Sequence, residues 1–423
     1  MKKRSLIFVF LVMITTVFLI DSCKKDSNPA ALNLGTLTVG NIDLNGAIAP
    51  TGVPINPTIT ATFSTDVDAT TAIPSNITLT EDYDTVSITL SLSVSGKTLT
   101  VTPANKLAAG ALYKLAITAG LKATNGQPLT AISRSFTTAG SFIPSGQFAY
   151  WNFDGNANDQ VSTYNPTANG VIDITYVPGR NSASGQAASF NGTTSLIEIP
   201  NGDVLENATD FSISFWLKED STGRPHQFVM GLAAWQGFQF EINNNDNNKL
   251  GWCKLAAQYS LAGGTSASQD LYFDGAATNS TKDNGGWQGW TFAKDLTSNS
   301  GTGVNGLIVG HWAHIVCTYN SVTKIGTMYI NGEEMKAQDF NLYGDTHPLY
   351  NATGLKFAGN ADNNAFVLGF IQDKVDPTIT DSWADYTIPG NAHFQGLLDD
   401  VSIFHKVLSP KIITLMYNSG SHL

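Results

Sequence analysis

Charged residues are scarce in this sequence. Asp, Glu, Lys and Arg together make up 13% of its 423 residues, about half of the usual ~25%. The net charge is −11, and the chain has no long basic run. An acidic chain of this kind argues against nucleic acid as a partner. It fits a neutral ligand, a cation or simply a soluble surface.

Cysteine is rare as well, with three in the whole chain. Cys23 ends an N-terminal apolar segment, which leaves Cys253 and Cys317. Two interpretations of this pair are open. The two thiols form a disulfide in an oxidising compartment, or they are small apolar core residues, since Cys317 alternates like a core position in HIVCTY.

Polarity comes instead from Asn, Ser, Thr and Gly, which favour strands and polar loops over helices. The apolar share of 42% is enough for the cores of two or three domains. We therefore predict an all-β protein.

Residues 1–22 are predicted to be a lipoprotein signal peptide. Three basic residues precede an apolar run to Ile20, which has the length of a signal segment rather than of a membrane span. The run ends IDSC, and a small residue directly before cysteine resembles the lipobox of bacterial lipoproteins, in the looser form of Bacteroidota. The resemblance implies that Cys23 becomes a lipid-modified N-terminus. A plain secretory signal is the alternative.

Residues 23–38, lipidated Cys included, are interpreted as a polar tether. Residues 39–140 contain short strand patterns with turn signals between them, for example PTITATFS, KTLTVTP and LYKLAIT. Seven or so strands in about 100 residues predict an immunoglobulin-like β-sandwich. The segment resembles bacterial Ig-like modules of surface-layer type, which usually serve as spacers, and it offers no candidate site.

A second domain is predicted over residues 145–423. Pro144–Gly146 marks its start, and all eight Trp of the chain lie beyond it. Because aromatic rings carry much of ligand recognition, this asymmetry places any recognition site in the C-terminal domain.

The stretch Phe394–Tyr417 is predicted to organise this domain. It is an apolar strand carrying Asp399 and Asp400, followed by a helix capped by Ser409. An apolar closing strand needs a sheet to enter, and Gln147–Asp159 is predicted to be the opening strand beside it.

Several segments of this domain, taken in order, resemble the laminin-G/concanavalin A-like jelly roll of many bacterial proteins: AYWNFDGNANDQ, AASFNGTTSLIEI, FSISFWLK, HWAHIVCTYN, GTMYINGEEM and GLLDDVSIFHKVLS. The resemblance implies a jelly-roll fold but leaves the function open, because this fold hosts lectins, glycosidase accessory domains and adhesion modules.

The resemblance also implies one structural calcium ion where the first and last strands meet. Asp399 occupies the matching place in the closing strand, and Asp154 or the main-chain oxygens near Gly192 would complete the oxygen ligands that calcium prefers. The alternative is that Asp154 only caps a turn.

A carbohydrate site needs aromatic rings beside amides and carboxylates, because the C–H face of a sugar packs on a ring while its hydroxyls find donors and acceptors. The first cluster of candidates lies in Ser260–Asn305, interpreted as a polar insertion into the jelly roll, and the second precedes the closing strand. Trp235 and Trp252 are assigned either to a ligand-facing surface or to the core. The predicted glycan-binding residues are Tyr272, Trp287, Trp290, Trp383 and Tyr386.

No catalytic arrangement is predicted. Glucanases that share the fold place their carboxylates along one strand. Here Glu241 is followed at the alternate positions by Asn243 and Asn245, which are neither nucleophiles nor acids. We therefore predict a binding protein rather than an enzyme.

Together these patterns predict a surface or outer-membrane lipoprotein that captures polysaccharide or oligosaccharide. The resemblance to polysaccharide-utilisation lipoproteins implies a transporter or hydrolase as partner and contact with the membrane only through the lipid. The side of the outer membrane is open. So are two other functions, an adhesion or scaffold protein that contacts protein, and a glycoside hydrolase with unrecognised residues.

Replacing Cys23 with Ser tests the anchor. Because the lipid is predicted to be the only membrane contact, Cys23→Ser should move the protein from the membrane fraction to the soluble fraction. Fractionation followed by immunoblotting measures this. A variant that stays with membranes after a carbonate wash would show that Cys23 is not the anchor.

Overall fold

The computed structural model describes most of the chain in two compact units. The first unit holds the described residues up to Lys106 together with Tyr113–Phe136, and the second holds Leu107–Leu112 and the described residues from Thr137 onward. Cys23 lies outside the described residues. Those are 29–244, 250–276, 291–297, 302–375 and 377–421, with the backbone of 283–284, 287–288 and 290.

The first unit is an immunoglobulin-like sandwich of two antiparallel sheets, as predicted. Strand order is β2-β1-β3-β6-β5 in one sheet and β4-β7-β8 in the other. Burial alternates along the strands, so that Ile59, Ala61 and Phe63 of β3 are buried while the threonines between them are partly exposed. The strands are β1 (Leu34–Val39), β2 (Ile42–Asp43), β3 (Ile59–Phe63), β4 (Ile77–Glu81), β5 (Leu90–Ser95), β6 (Thr98–Pro103), β7 (Leu112–Ile117) and β8 (Ile132–Thr137).

The second unit is a jelly-roll sandwich of two larger sheets. Its strands are β9 (Ala149–Trp151), β10 (Val171–Ile172), β11 (Thr175–Pro178), β12 (Gln186–Asn191), β13 (Leu196–Ile199), β14 (Phe211–Glu219), β15 (His226–Gly231), β16 (Phe238–Asn243), β17 (Trp252–Leu261), β18 (Ser266–Phe273), β19 (Asp283–Asn284), β20 (Trp287–Gln288), β21 (Trp290–Ala293), β22 (Trp312–Asn320), β23 (Ile325–Ile330), β24 (Glu333–Asp339), β25 (Ala352–Leu355), β26 (Phe366–Leu368) and β27 (Gln395–Phe404). The α-helices are α1 (Gly202–Glu206), α2 (Asn305–Ile308) and α3 (Pro410–Ser421). Short 3-10 helices are described at Ala69–Thr71, Ala234–Gln236, Phe340–Tyr343, Pro348–Asn351 and Ser382–Ala384.

The two sheets enclose one large core. The first sheet, called here the binding sheet, has the order β10-β13-β26-β15-β16-β17-β18, with β25 beside β17. The second, called the closing sheet, has the order β11-β12-β27-β14-β22-β23-β24-β21, with β9 beside β27. Inward residues of both sheets, such as Phe215 and Phe240, meet edge to face at 5.0 Å between ring centroids.

Strand β27 is the strand around which the closing sheet forms, as predicted. It pairs with β12 and β14 along its length and with the opening strand β9, where Val401 lies opposite Trp151. Helix α3 then begins at Pro410, and Ser409 Oγ accepts a hydrogen bond from the Ile412 amide at 3.3 Å. The predicted strand, cap and helix are all present.

A buried cation neutralises the two acids of β27. The guanidinium of Arg180 contacts Asp399 and Asp400 at 2.5 Å each, and the side chains of Arg180 and Asp399 are 4% and 0% exposed. The same guanidinium lies over the Trp216 ring, 4.5 Å from its centroid. Tyr150 of β9 donates to Asp400 at 2.5 Å. The network therefore joins the first and last strands of the unit.

The described strands within Ser260–Asn305 belong to the two sheets, so the interpretation of the stretch as an insertion was wrong for them. β18 pairs with β17 from Ser266 to Phe273, and β21 pairs with β24 at the edge of the closing sheet. Its glycine- and serine-rich composition concealed two sheet strands, because pairing is set by neighbouring strands as well as by local sequence.

Cys253 and Cys317 are both buried and carry free thiols. They belong to the large core, and Cys253 Sγ lies 3.5 Å from Met328 Sδ. The interpretation as apolar core residues is the one the structure supports. In the described part of the chain, no helix has the length and apolar character needed to cross a bilayer.

Breaking the buried pair of Arg180 and Asp399 should destabilise the protein strongly. Asp399→Asn leaves Arg180 buried beside one carboxylate, and breaking a buried ion pair typically costs about 3–5 kcal/mol. Urea denaturation of the mature chain measures the loss. The exposed Asp345 provides a control, Asp345→Asn, that should stay near wild type. A loss for Asp399→Asn equal to that of the control would contradict this role.

Candidate functional site

The outer face of the binding sheet is polar over three neighbouring strands. Alternate residues of β16 and β17 enter the core, including Phe240 and Leu255, so the residues between them point outward. The register places Glu241 opposite Lys254 and Lys254 opposite Tyr272. Polar side chains from β16, β17 and β18 therefore form one row across the sheet.

A linked charge cluster lies at the centre of this face. Lys254 Nζ contacts Glu241 Oε2 at 3.1 Å and Asp270 Oδ2 at 3.2 Å. The Glu241 carboxyl also contacts His226 and accepts a hydrogen bond from Gln239 Nε2 at 3.0 Å. Burial raises the pKa of Glu241, but the hydrogen bond from His226 and the charge of Lys254 outweigh it and hold this pKa below its usual value.

Two tryptophans form an exposed aromatic pair beside the charge cluster. The rings of Trp235 and Trp383 stack with 5.9 Å between centroids and 20° between planes. They remain 38% and 40% exposed. Large rings that stay this exposed can present flat apolar faces to a ligand.

The loop that presents Trp235 has a strained backbone. Ala233 and Ala234, directly before it, have φ values of 49° and 54°, a left-handed conformation that costs about 1–2 kcal/mol per non-glycine residue. The Ala234 amide donates to the Ile371 carbonyl at 3.1 Å. Backbone strain of this kind is concentrated at functional sites, and here its effect is to turn Trp235 to the surface.

Trp383 is held by hydrogen bonds on both sides of its short helix. Asn391 Nδ2 donates to the carbonyls of Ser382 and Asp385 at 2.7 and 2.6 Å. Arg224 in turn donates to the Asn391 carbonyl at 2.9 Å. The main chain that carries the Trp383 ring is therefore held in place on both sides.

These elements enclose a cleft of about 500 Å³ on the outer face of the binding sheet. The stacked tryptophans form one side, and His226, Gln239, Glu241 and Lys254 of the charge cluster form the floor. The residues that line it include Arg224, His226, Trp235, Glu241, Lys254 and Trp383.

The predicted glycan-binding residues have different positions in the structure. Trp383 lines the cleft, and Tyr272 lies on the same face, with its ring 5.4 Å from that of Trp252. Tyr386 does not reach the cleft, because its ring packs on Phe370 and His393 and its hydroxyl donates to a main-chain carbonyl. The side chains of Trp287 and Trp290 lie outside the described residues, so that prediction stays a prediction.

Sequence reasoning missed His226, Lys254 and Asp270. The available signal was the polar alternation in FQFEIN, WCKLAAQ and SASQDLYF, which marks three half-exposed strands. Sequence analysis also gave Glu241 no partner carboxylate, because it searched along one strand. The second carboxylate, Asp270, comes from another strand across Lys254.

The residues predicted to bind calcium do not form a ligand set. Asp399 contacts Arg180, and the two oxygens of Asp154 accept from the Gln186 amide at 2.7 Å and from Asn152 at 2.8 Å. Gly192 follows Asn191, which pairs with Gln395 of β27. Gln395 lies four positions before Asp399, a distance of about 13 Å along the strand. Among the described residues, no group of three or more His, Cys, Asp or Glu side chains could hold a metal. The calcium ion stays a prediction.

Residues 43–138 match the family described as bacterial Ig-like domain. The first unit therefore contains a bacterial Ig-like domain. The match covers less than half of the chain. Comparison with curated proteins gives no match.

Solved structures similar to this chain include domain 4 of a GH43 extracellular arabinanase from Geobacillus stearothermophilus, in complex with arabinotriose. The identity is 19% over 64% of this chain and 98% of that chain, with a TM-score of 0.38. The binding domain of Paraclostridial Mosquitocidal Protein 1 is 14% identical over 65% of this chain and 52% of that chain, with a TM-score of 0.39. The botulinum neurotoxin serotype D ligand binding domain, in complex with N-acetylneuraminic acid, is 14% identical over 64% and 50%, with a TM-score of 0.35. This chain thus spans about half of each toxin chain, and similarity of this extent leaves its function to be argued from its own residues.

The lowered pKa of Glu241 predicts how stability responds to acid. A carboxyl with a depressed pKa contributes stability that is present above its unfolded pKa, about 4.3, and is lost as the pH falls through the folded pKa. Glu241→Gln should therefore lower the free energy of unfolding by about 1–3 kcal/mol at neutral pH. The difference in stability between this variant and wild type should disappear below about pH 4. Thermal melting from pH 3 to pH 7 measures this.

Glu333→Gln is the matched control for Glu241→Gln. The Glu333 side chain is 63% exposed, so this change should matter little at any pH. A difference between wild type and Glu241→Gln that stays constant down to pH 3 would contradict the ionised cluster.

Proposed function

We propose that the second unit binds carbohydrate in the cleft of the binding sheet. The observation that carries this proposal is the exposed stack of Trp235 and Trp383 beside a polar floor. A sugar has apolar C–H faces and polar edges, so it needs a flat ring and hydrogen-bonding groups at the same place. The cleft offers both.

The floor is suited to sugar hydroxyls. Glu241 accepts hydrogen bonds, Lys254 donates them, and Gln239 Oε1 is buried without a partner among the described residues. A hydroxyl both donates and accepts, so it can bind to such a mixed set. Because the rings are already held in place, little side-chain entropy is lost on binding.

We infer binding rather than cleavage. Hydrolysis of a glycosidic bond needs one carboxyl that keeps its proton to protonate the leaving group. Glu241 has a lowered pKa, and Lys254 contacts its carboxyl directly. Glu241 is therefore suited to accept hydrogen bonds from a ligand and not to donate a proton to a leaving group.

We place the carbohydrate-binding unit on a lipoprotein at the outer membrane. The support is the apolar N-terminal run ending in Ser22 and Cys23, followed by a polar tether and an Ig-like domain that would act as a spacer. The proposed role is capture of extracellular polysaccharide or oligosaccharide for a transporter or hydrolase partner.

Single substitutions at the tryptophan pair test the binding function. Trp383→Ala and Trp235→Ala should each cost about 1–3 kcal/mol of glycan affinity, the usual effect of truncating an aromatic anchor. Their melting temperatures should change little, because both rings are well exposed. A glycan array with the mature chain identifies the ligands, and isothermal titration calorimetry measures the affinities.

Trp312→Ala serves as the control, because Trp312 is a half-buried ring on the closing sheet. It should bind glycans like wild type. Glycan affinity that survives both Trp383→Ala and Trp235→Ala would contradict this site. If the array shows no glycan binding while a protein partner is bound, the unit is an adhesion or scaffold module instead.

A further inference from the structure

Resting on the proposed function, we propose that the ligand is an uncharged oligosaccharide long enough to contact two aromatic pairs on the binding sheet. The first pair is Trp235 with Trp383. The second is Trp252 with Tyr272, whose rings lie 5.4 Å apart on strands β17 and β18.

The first pair lines the cleft, whereas the second lies outside its lining, on β17 and β18. Trp383 contacts Phe228 of β15, at 6.0 Å between ring centroids, whereas Trp252 begins β17, two strands away. Neighbouring strands lie about 4.8 Å apart, so the ring contacts are separated by about 10 Å across the sheet. This separation is wider than a single sugar ring, and one monosaccharide cannot stack on both pairs.

His226 lies between the two aromatic pairs. Its ring lies 5.0 Å from Phe228 and 6.2 Å from Trp252, and its side chain is 39% exposed. A chain of sugars that ran from Trp383 to Trp252 would therefore pass over His226 and Glu241. Its rings would stack at both ends while its hydroxyls met the polar groups between.

The charges of the cleft are balanced. Lys254 is shared between two carboxylates, Glu241 and Asp270. Arg224 donates through its two terminal nitrogens to the carbonyls of Pro389 and Asn391, at 3.1 and 2.9 Å. The cations that line the cleft within the described residues are thus already engaged, and an acidic sugar would bring its charge next to Glu241. An uncharged ligand avoids that repulsion.

Calorimetry with sugars of increasing length tests the inference. The probes are oligosaccharides from monomer to hexamer of glucan, mannan, xylan, galactan and arabinan, with polygalacturonic acid and heparin as acidic polymers. Affinity should rise at least about tenfold from monomer to the longer oligomers. Trp252→Ala should lower the affinity for long oligomers about tenfold and leave the monomer unchanged, whereas Trp383→Ala should weaken both.

Two further variants keep the test independent of folding. Trp252→Leu preserves apolar bulk but removes the flat ring, and Tyr272→Ala removes the other member of the pair. Both should weaken long oligomers selectively, while Trp312→Ala should bind like wild type. Melting curves verify that each variant is folded.

Equal affinity for monomer and hexamer, or long-oligomer binding that is unaffected when the Trp252 and Tyr272 rings are removed, would overturn the proposed length. Tighter, salt-sensitive binding of the acidic polymers would overturn the proposed neutrality. In these cases Trp383-dependent binding persists and the proposed function stands. Absence of binding to every probe, or binding unaffected at Trp383, would reject the proposed function and this inference together.

Discussion

The binding face exists because two sheets must bury their inner surfaces against each other. Phe215 and Phe240 meet in the core from opposite sheets, and burial of such side chains contributes about 1.5–3 kcal/mol each. Once alternate residues are committed to the core, the residues between them have to face outward. The polar row of Glu241 and Lys254 on the binding sheet is a consequence of that constraint.

The closing sheet differs from the binding sheet, because it buries an acidic side chain, Asp399, instead of exposing its charged residues on the outer face. Asp399 is fully buried, and removing a charge from water is strongly unfavourable unless a partner is present. Arg180 supplies that partner from before β12, and Tyr150 from β9 adds a hydrogen bond to Asp400. Residues distant in sequence are thereby tied to one strand. The network gives the two adjacent acids of β27 a structural role.

The two tryptophans of the cleft are exposed to solvent, and the main chain that carries them is held in place. Trp235 is turned outward by a strained pair of alanines, and Trp383 is fixed by hydrogen bonds from Asn391. Rings held in this way meet a ligand without first losing much freedom. The charge cluster beneath them holds Lys254 between two carboxylates, so it provides both donors and acceptors. Both properties favour a sugar over a charged partner.

The sequence by itself determined the all-β class, the Ig-like first unit, the jelly-roll second unit and the ends of its closing strand and helix. The jelly roll was implied by the resemblance to a known family, and the other features follow from local patterns, namely alternation, turn residues and the Ser409 cap, which are readable along the chain. It also singled out Trp383, which lines the cleft. Only the tertiary structure decided that Trp235 stands beside Trp383, that Asp270 shares Lys254 with Glu241, and that Tyr386 packs inward. Those relations depend on strand register and on loops that meet across a sheet, and no spacing along the chain encodes which residues become neighbours in this way.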